Sequence, residues 1–176
     1  EVVTEMLPNT NGELKESFSI LLNKDKQNLI FHCKSQGSAL EWGVNNFVKL
    51  AKSLDKELYN IFFTGTEKES EFFRNKLPNE KNIIDLSGKM TLNELISFIS
   101  KSDLLLACST GPLHIAGLCN IKTIGLFTPM RPLNYGRWQP LGTQVKIIEE
   151  KNVSERTQPL DISLREVKQE VENLFL

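Results

Sequence analysis

From Asn28 onward, short apolar, β-rich runs alternate with amphipathic segments of helical period, and such alternation builds a parallel sheet joined by crossover helices. The runs place strands over residues 29–33, 58–64, 82–86, 104–108, 123–127 and 144–148. Val44, Phe47, Val48, Ala51 and Leu54 recur on one helical stripe, and Leu92, Leu95, Ile96 and Ile99 on another, so both segments are expected to turn a face to the core. Acidic residues open a further expected helix over 67–77. Thr91 followed by Glu94 has the spacing of a capping box, which makes Thr91 an expected N-cap.

Outside this pattern, residues 1–26 have weak periodicity, a polar break from Pro8 to Gly12 and room for one short helix over 14–22; they read as a lead-in or interdomain linker. Residues 27–150 form the α/β domain. In residues 151–176, Ile162, Leu164, Val167, Val171 and Leu174 follow a helical period, as expected of a closing helix. With 176 residues, 40% of them hydrophobic and 24% charged, the chain can build a core without disulfide or metal.

A net charge of -1 gives no broad positive field for nucleic acid or anionic lipid. The three cysteines, Cys33, Cys108 and Cys119, sit among apolar or small residues and suit free thiols in a reducing compartment. With no signal-like leader and no long apolar run, the expected location is cytoplasmic. No Cys and His spacing matches a zinc site, so no metal and no cofactor are expected.

Parallel α/β sheets bind ligands beyond the carboxyl ends of their strands, so the strand exits carry the functional information. After the fourth strand, Ser109-Thr110-Gly111-Pro112-Leu113-His114 places small polar residues and a glycine ahead of a helix. Free backbone N–H groups and the helix dipole there suit a phosphate, and the same residues also suit a helix that is simply well capped. His114 can bond an anion or pack. His32, within a strand, reads as packing. After the second strand, Thr64-Gly65 precedes Glu69, either an acceptor for ribose hydroxyls or an acid matched to a helix start. Neither G-x-G-x-x-G nor G-x-x-x-x-G-K-[ST] is present, which lowers dinucleotide oxidoreductases and P-loop enzymes. In the irregular stretch 128–142, Arg131 and Arg137 lie beside Tyr135 and Trp138. Arginine there can bridge a diphosphate while the aromatics stack on sugar; the other reading is a surface loop anchored by a buried Trp138.

Together these pieces resemble the carboxyl-terminal half of the heptosyltransferases of glycosyltransferase family nine. The resemblance runs from about Leu29 to about Ile148. It rests on Lys34-Ser35-Gln36-Gly37-Ser38, Trp42, Phe47, Leu50-Ala51, Thr64-Gly65 with Glu69, Leu86-Ser87-Gly88-Lys89-Met90-Thr91-Leu92 and Thr110-Gly111-Pro112-Leu113-His114-Ile115-Ala116. It implies a Rossmann-like parallel sheet flanked by helices, one half of a GT-B fold, that binds the nucleotide part of a sugar donor resembling ADP-heptose. It places Ser109, Thr110, Gly111, Pro112 and His114 near the diphosphate and donor sugar, Glu69 near the ribose, Met90 by the base, and Ser35 and Gln36 near the phosphates. Arg131 is a further candidate for the diphosphate.

Two positions depart from the family pattern. Ser109 stands where an aspartate is usual and cannot supply its charge, and Leu40-Glu41 stands where a basic residue is common, so an acid there is expected to repel phosphate. The resemblance further implies transfer to a lipopolysaccharide or surface-glycan acceptor, at most peripheral contact with the inner face of the bacterial inner membrane, and an acceptor domain carrying the general base that this chain does not contain. A nucleotide-sugar epimerase or hydrolase, and an inactive binding or assembly module of the same fold, are the competing readings.

Overall fold

The computed structural model describes residues 14–151 and 159–176. The expected polar break at Pro8 to Gly12 lies outside them. Six strands, β1 (Gln27–His32), β2 (Tyr59–Thr64), β3 (Ile83–Asp85), β4 (Leu104–Cys108), β5 (Lys122–Phe127) and β6 (Val145–Glu149), form one sheet in the order β3-β2-β1-β4-β5-β6, every neighbouring pair parallel. This is the doubly wound order, whose connections reverse direction between β1 and β4.

Helix α1 (Glu16–Ser19) precedes the sheet, α2 (Val44–Ser53), α3 (Glu67–Ser70), α4 (Leu92–Ser100), α5 (Gly111–Leu118) and α6 (Tyr135–Trp138) lie in the connections between strands, and α7 (Leu164–Asn173) follows β6. The central strands are apolar on both faces because both faces are covered. Leu29, Phe31, Phe63, Leu104 and Leu106 point to one side, where Phe47, Leu50 and Ala51 of α2 and Val167 and Val171 of α7 close the core. Ile30, Phe62, Leu105 and Ala107 point to the other, against Phe98 and Ile99 of α4, Leu113 and Ala116 of α5, and Leu14 and Phe18 at the amino-terminal end of the described chain. Edge-on ring pairs join β1 to β2 through Phe31 and Phe63 at 5.7 Å, and β2 to α4 through Phe62 and Phe98 at 4.9 Å.

Three sequence expectations change. The helix over 67–77 stops at Ser70 and resumes only as a 3-10 turn, Arg74–Lys76. The Arg74 guanidinium is drawn to Glu67 at 2.6 Å and Asp85 at 2.7 Å, which fixes the chain across the β2 and β3 exits instead of along a helix axis. Leu92 is not a core residue: at the first position of α4 it is 64% exposed. Trp138 is exposed as well, its indole N–H donating to the Pro132 carbonyl at 2.9 Å within its own loop, so it anchors that loop without being buried. The expected capping box is present: the Thr91 hydroxyl accepts from the Glu94 N–H, and the Glu94 carboxylate accepts from the Thr91 N–H at 2.8 Å.

Candidate functional site

The carboxyl ends of β1, β2, β3 and β4 open into a cleft of about 690 Å³ at the topological switch point. Of the residues singled out from the sequence, Ser35, Gln36, Glu69, Met90, Thr110, Gly111 and Pro112 line it; Ser109, His114 and Arg131 do not. Arg131 is exposed on the loop after β5, and His114 is half-buried one turn into α5, where burial lowers its pKa.

At the β4 exit, Thr110 is the N-cap of α5 by backbone geometry, yet its side chain makes no capping bond. Its hydroxyl is buried and finds no hydrogen-bond partner among the described residues. A buried unpaired hydroxyl costs about 1–3 kcal/mol, so one at the wall of a cleft points to a partner supplied from the cleft. Gly111 follows, and a Cβ added there would meet nothing within 4 Å. Local packing does not require glycine at this position; what a glycine does here is leave the backbone open to close approach.

At the β2 exit, Glu69 is buried and its Oε2 accepts from the Thr66 N–H at 2.7 Å and the Thr66 hydroxyl at 2.9 Å. These bonds complete a capping box on α3, as the helix-start reading of Glu69 expects, and the same residue lines the cleft. Glu67, also on the cleft wall, is gripped by Arg74 through two bonds of 2.6 and 3.0 Å, and this bonding depresses its pKa. Gly88, at the β3 exit, adopts φ +72, and a Cβ there would collide with the Glu67 side chain.

At the β1 exit the chain reverses through Gln36 and Gly37, at φ 51 and 84, and this turn brings Glu41 back beneath Lys34 and Ser35. Glu41 is therefore not the unpaired acid that the linear sequence suggests. Its carboxylate is buried, pairs with Lys34 at 2.6 Å, and accepts from the Ser35 N–H and hydroxyl, each at 2.9 Å. The Ser35 hydroxyl proton is therefore directed inward, to Glu41 or to the Ala39 carbonyl at 3.1 Å.

His32, assigned to packing from the sequence, lies on the cleft wall with Nδ1 3.1 Å from the Thr64 hydroxyl. Burial lowers its pKa against the opposing pull of Glu69 and Glu41, which keeps the ring neutral. Its position at the last residue of a central strand was the signal that could have identified it. Among the described residues, no three His, Cys, Asp or Glu side chains gather as a metal site, and no helix is long and apolar enough to cross a membrane.

A doubly wound α/β domain with a ligand-sized cleft at its switch point defines a class of small-molecule binding folds, and comparison with known proteins narrows it. Residues 5–162 match the profile of Glycosyltransferase family 9 (heptosyltransferase), and the chain belongs to that family. Similar proteins include lipooligosaccharide heptosyltransferase 2 of Campylobacter jejuni, 29% identical over a stretch covering 60% of this chain and 34% of that protein. Lipopolysaccharide core heptosyltransferase OpsX of Haemophilus influenzae is 26% identical over 76% of this chain and 40% of its own length. The chain thus spans between a third and two fifths of these relatives. Among solved structures, Escherichia coli ADP-heptose lps heptosyltransferase II superposes with a TM-score of 0.72 at 22% identity, covering 92% of this chain and 52% of that one. A family 9 glycosyltransferase from Veillonella parvula gives 0.73 at 19%, with the same coverage.

Proposed function

We propose that this chain is the donor-binding, carboxyl-terminal half of a GT-B glycosyltransferase that transfers a sugar from a nucleotide-sugar to a lipopolysaccharide or surface-glycan acceptor. The observation that carries the reading is the pair Thr110 and Gly111: a buried hydroxyl without a partner next to a glycine facing open space, both at the start of α5 and both on the cleft wall. That pair suits the diphosphate of a donor. A similar fold from Escherichia coli, the heptosyltransferase WaaC, has been solved with ADP, which supports a nucleoside diphosphate as the ligand class.

In this reading the α5 amino terminus binds the diphosphate and stabilises the charge that grows on it as the glycosidic bond breaks. Glu69 accepts from ribose hydroxyls, and Met90 lies against the base. The general base that deprotonates the acceptor hydroxyl belongs to the rest of the enzyme. No cofactor or metal takes part, and the enzyme works in the cytoplasm at the inner face of the membrane.

Calorimetric titration of the chain with ADP, GDP, UDP and CMP tests the proposal, with Thr110→Ala as control. Selective binding of one nucleotide, weakened on the order of tenfold or more in the variant, is the expected result. A folded chain that binds none of the four overturns it and favours an assembly module of the same fold.

A further inference from the structure

The cleft is unevenly charged. Two of its lining residues, Glu67 and Glu69, are acids on the β2 side; among the described residues a single lysine or arginine lines it, Lys34 at the β1 exit. Because β1 lies between β2 and β4, the β1 exit that carries Lys34 stands between the β2 exit, with its two acids, and the β4 exit that leads into α5. The donors suited to an anion, the Lys34 ammonium and the α5 amino terminus, thus belong to the β1 and β4 exits, while the carboxylates of the β2 exit suit a neutral group rich in hydroxyls.

Lys34 is also held. Its ammonium lies 2.6 Å from Glu41 Oε2 and 4.7 Å from the centroid of the Phe72 ring, and its side chain retains 19% exposure. Glu41 does not line the cleft, and its other oxygen is bound to the Ser35 N–H and hydroxyl. The carboxylate therefore fixes where the ammonium sits without presenting itself to a ligand. An ammonium confined between a carboxylate and an aromatic face has already lost much of its rotamer freedom, so less entropy remains to be lost when an anion arrives.

We propose that Lys34 is the cation that contacts the anionic end of the cleft's ligand, and that Glu41, through Lys34 and Ser35, is its positioning residue. The inference rests on the donor-binding reading and deepens it: the diphosphate lies between Lys34 and Gly111, and the sequence departure at Glu41 belongs to a rearranged cation site. The pair carries no net charge, so affinity depends on the short contact made by the ammonium and not on a long-range positive field.

Replacing Lys34 alone leaves Glu41 buried and unpaired, which threatens the fold, so the decisive variant is the double substitution Lys34→Met with Glu41→Gln, in which both charges go and an acceptor for Ser35 stays. ADP, UDP and GDP are titrated against wild type, the double variant, Lys34→Met and Lys34→Arg at low and high salt, with adenosine, uridine and guanosine alongside. For the diphosphate that wild type binds, the double variant is expected to lose on the order of tenfold in affinity, and to a similar extent at both salt concentrations, because the neutral pair gives little long-range field to screen. Its affinity for the matching nucleoside stays at the wild-type level. Lys34→Met loses more than the double variant, because an uncompensated carboxylate then remains nearby, and Lys34→Arg retains binding. Wild-type diphosphate affinity in the folded double variant overturns the role of Lys34 and leaves the donor site standing; no nucleotide binding by wild type overturns both.

Discussion

The indole N–H of Trp42 donates to the carbonyl of Ile162, at 2.8 Å and across 120 positions of sequence. Trp42 is fully buried, and its backbone N–H is directed to the Cys108 sulfur at 3.3 Å. One residue thus ties the segment leading into α7 to the β1 exit loop and to the end of β4, next to both cation and helix-terminus elements of the cleft. Trp42→Phe keeps an aromatic ring but strands the Ile162 carbonyl and opens a void, so it is expected to cost about 2 kcal/mol or more. Urea unfolding checks this, and the exposed Trp138 remains as the fluorescent probe.

The loop after β5 meets α5 through two glycines. A Cβ on Gly117 would collide with the Leu141 carbonyl and with Pro140, and one on Gly142, at φ +132, would come within 2.5 Å of the Gly117 oxygen. Helix propensity alone says that Gly117→Ala stabilises α5 by about 1 kcal/mol. The close approach says the opposite, a loss of about 1–3 kcal/mol as the loop is pushed away. Thermal melting decides by sign: a raised midpoint would show that the loop yields without cost.

Burial holds His32 neutral, its pKa lowered from the ordinary 6.5 despite the attraction of Glu69 and Glu41. The unfolded chain binds that proton more readily, so the stability contributed by the neutral ring is complete above about pH 6.5 and is lost as the pH falls toward the folded value. Half-buried His114 shifts in the same direction. Carboxylates with lowered pKa, such as Glu94 at about 2, act in a more acidic window. Denaturant titrations between pH 7 and 5 should therefore show a slope that flattens in His32→Gln and flattens further when His114→Gln is added. An unchanged slope in His32→Gln would mean that folding does not shift the pKa of this ring, and a steeper one that the fold favours its charged form.

The strands and the two core helices were legible because burial on both faces leaves uninterrupted apolar runs, and because a helical stripe is a local pattern. The capping box at Thr91 and Glu94 was legible for the same reason, since both partners lie within one turn. What escaped were features created by the chain folding back on itself. Lys34 and Glu41 are seven positions apart and meet only because Gln36 and Gly37 take left-handed backbone conformations, so a linear reading treats Glu41 as a lone acid facing a phosphate. Arg74 ends the helix begun at Glu67 by reaching Asp85, a partner supplied by another strand exit. Leu92 continues the apolar stripe of α4 in sequence but lies on the cleft wall, where it is exposed.

Gly111 separates a ligand role from a structural one more cleanly than any other position in the cleft. Its backbone is not in the left-handed region and a Cβ would touch nothing, so Gly111→Ala removes flexibility from the unfolded chain and adds no strain to the folded one. Stability is expected to stay level or rise by up to about 1 kcal/mol. If the diphosphate packs against this backbone, the new methyl group occupies the space the ligand needs, and calorimetric affinity for the preferred nucleoside diphosphate falls at least on the order of tenfold while the melting temperature does not. Binding that persists at wild-type strength in Gly111→Ala would move the diphosphate away from the α5 terminus, because no loss of fold could account for either result.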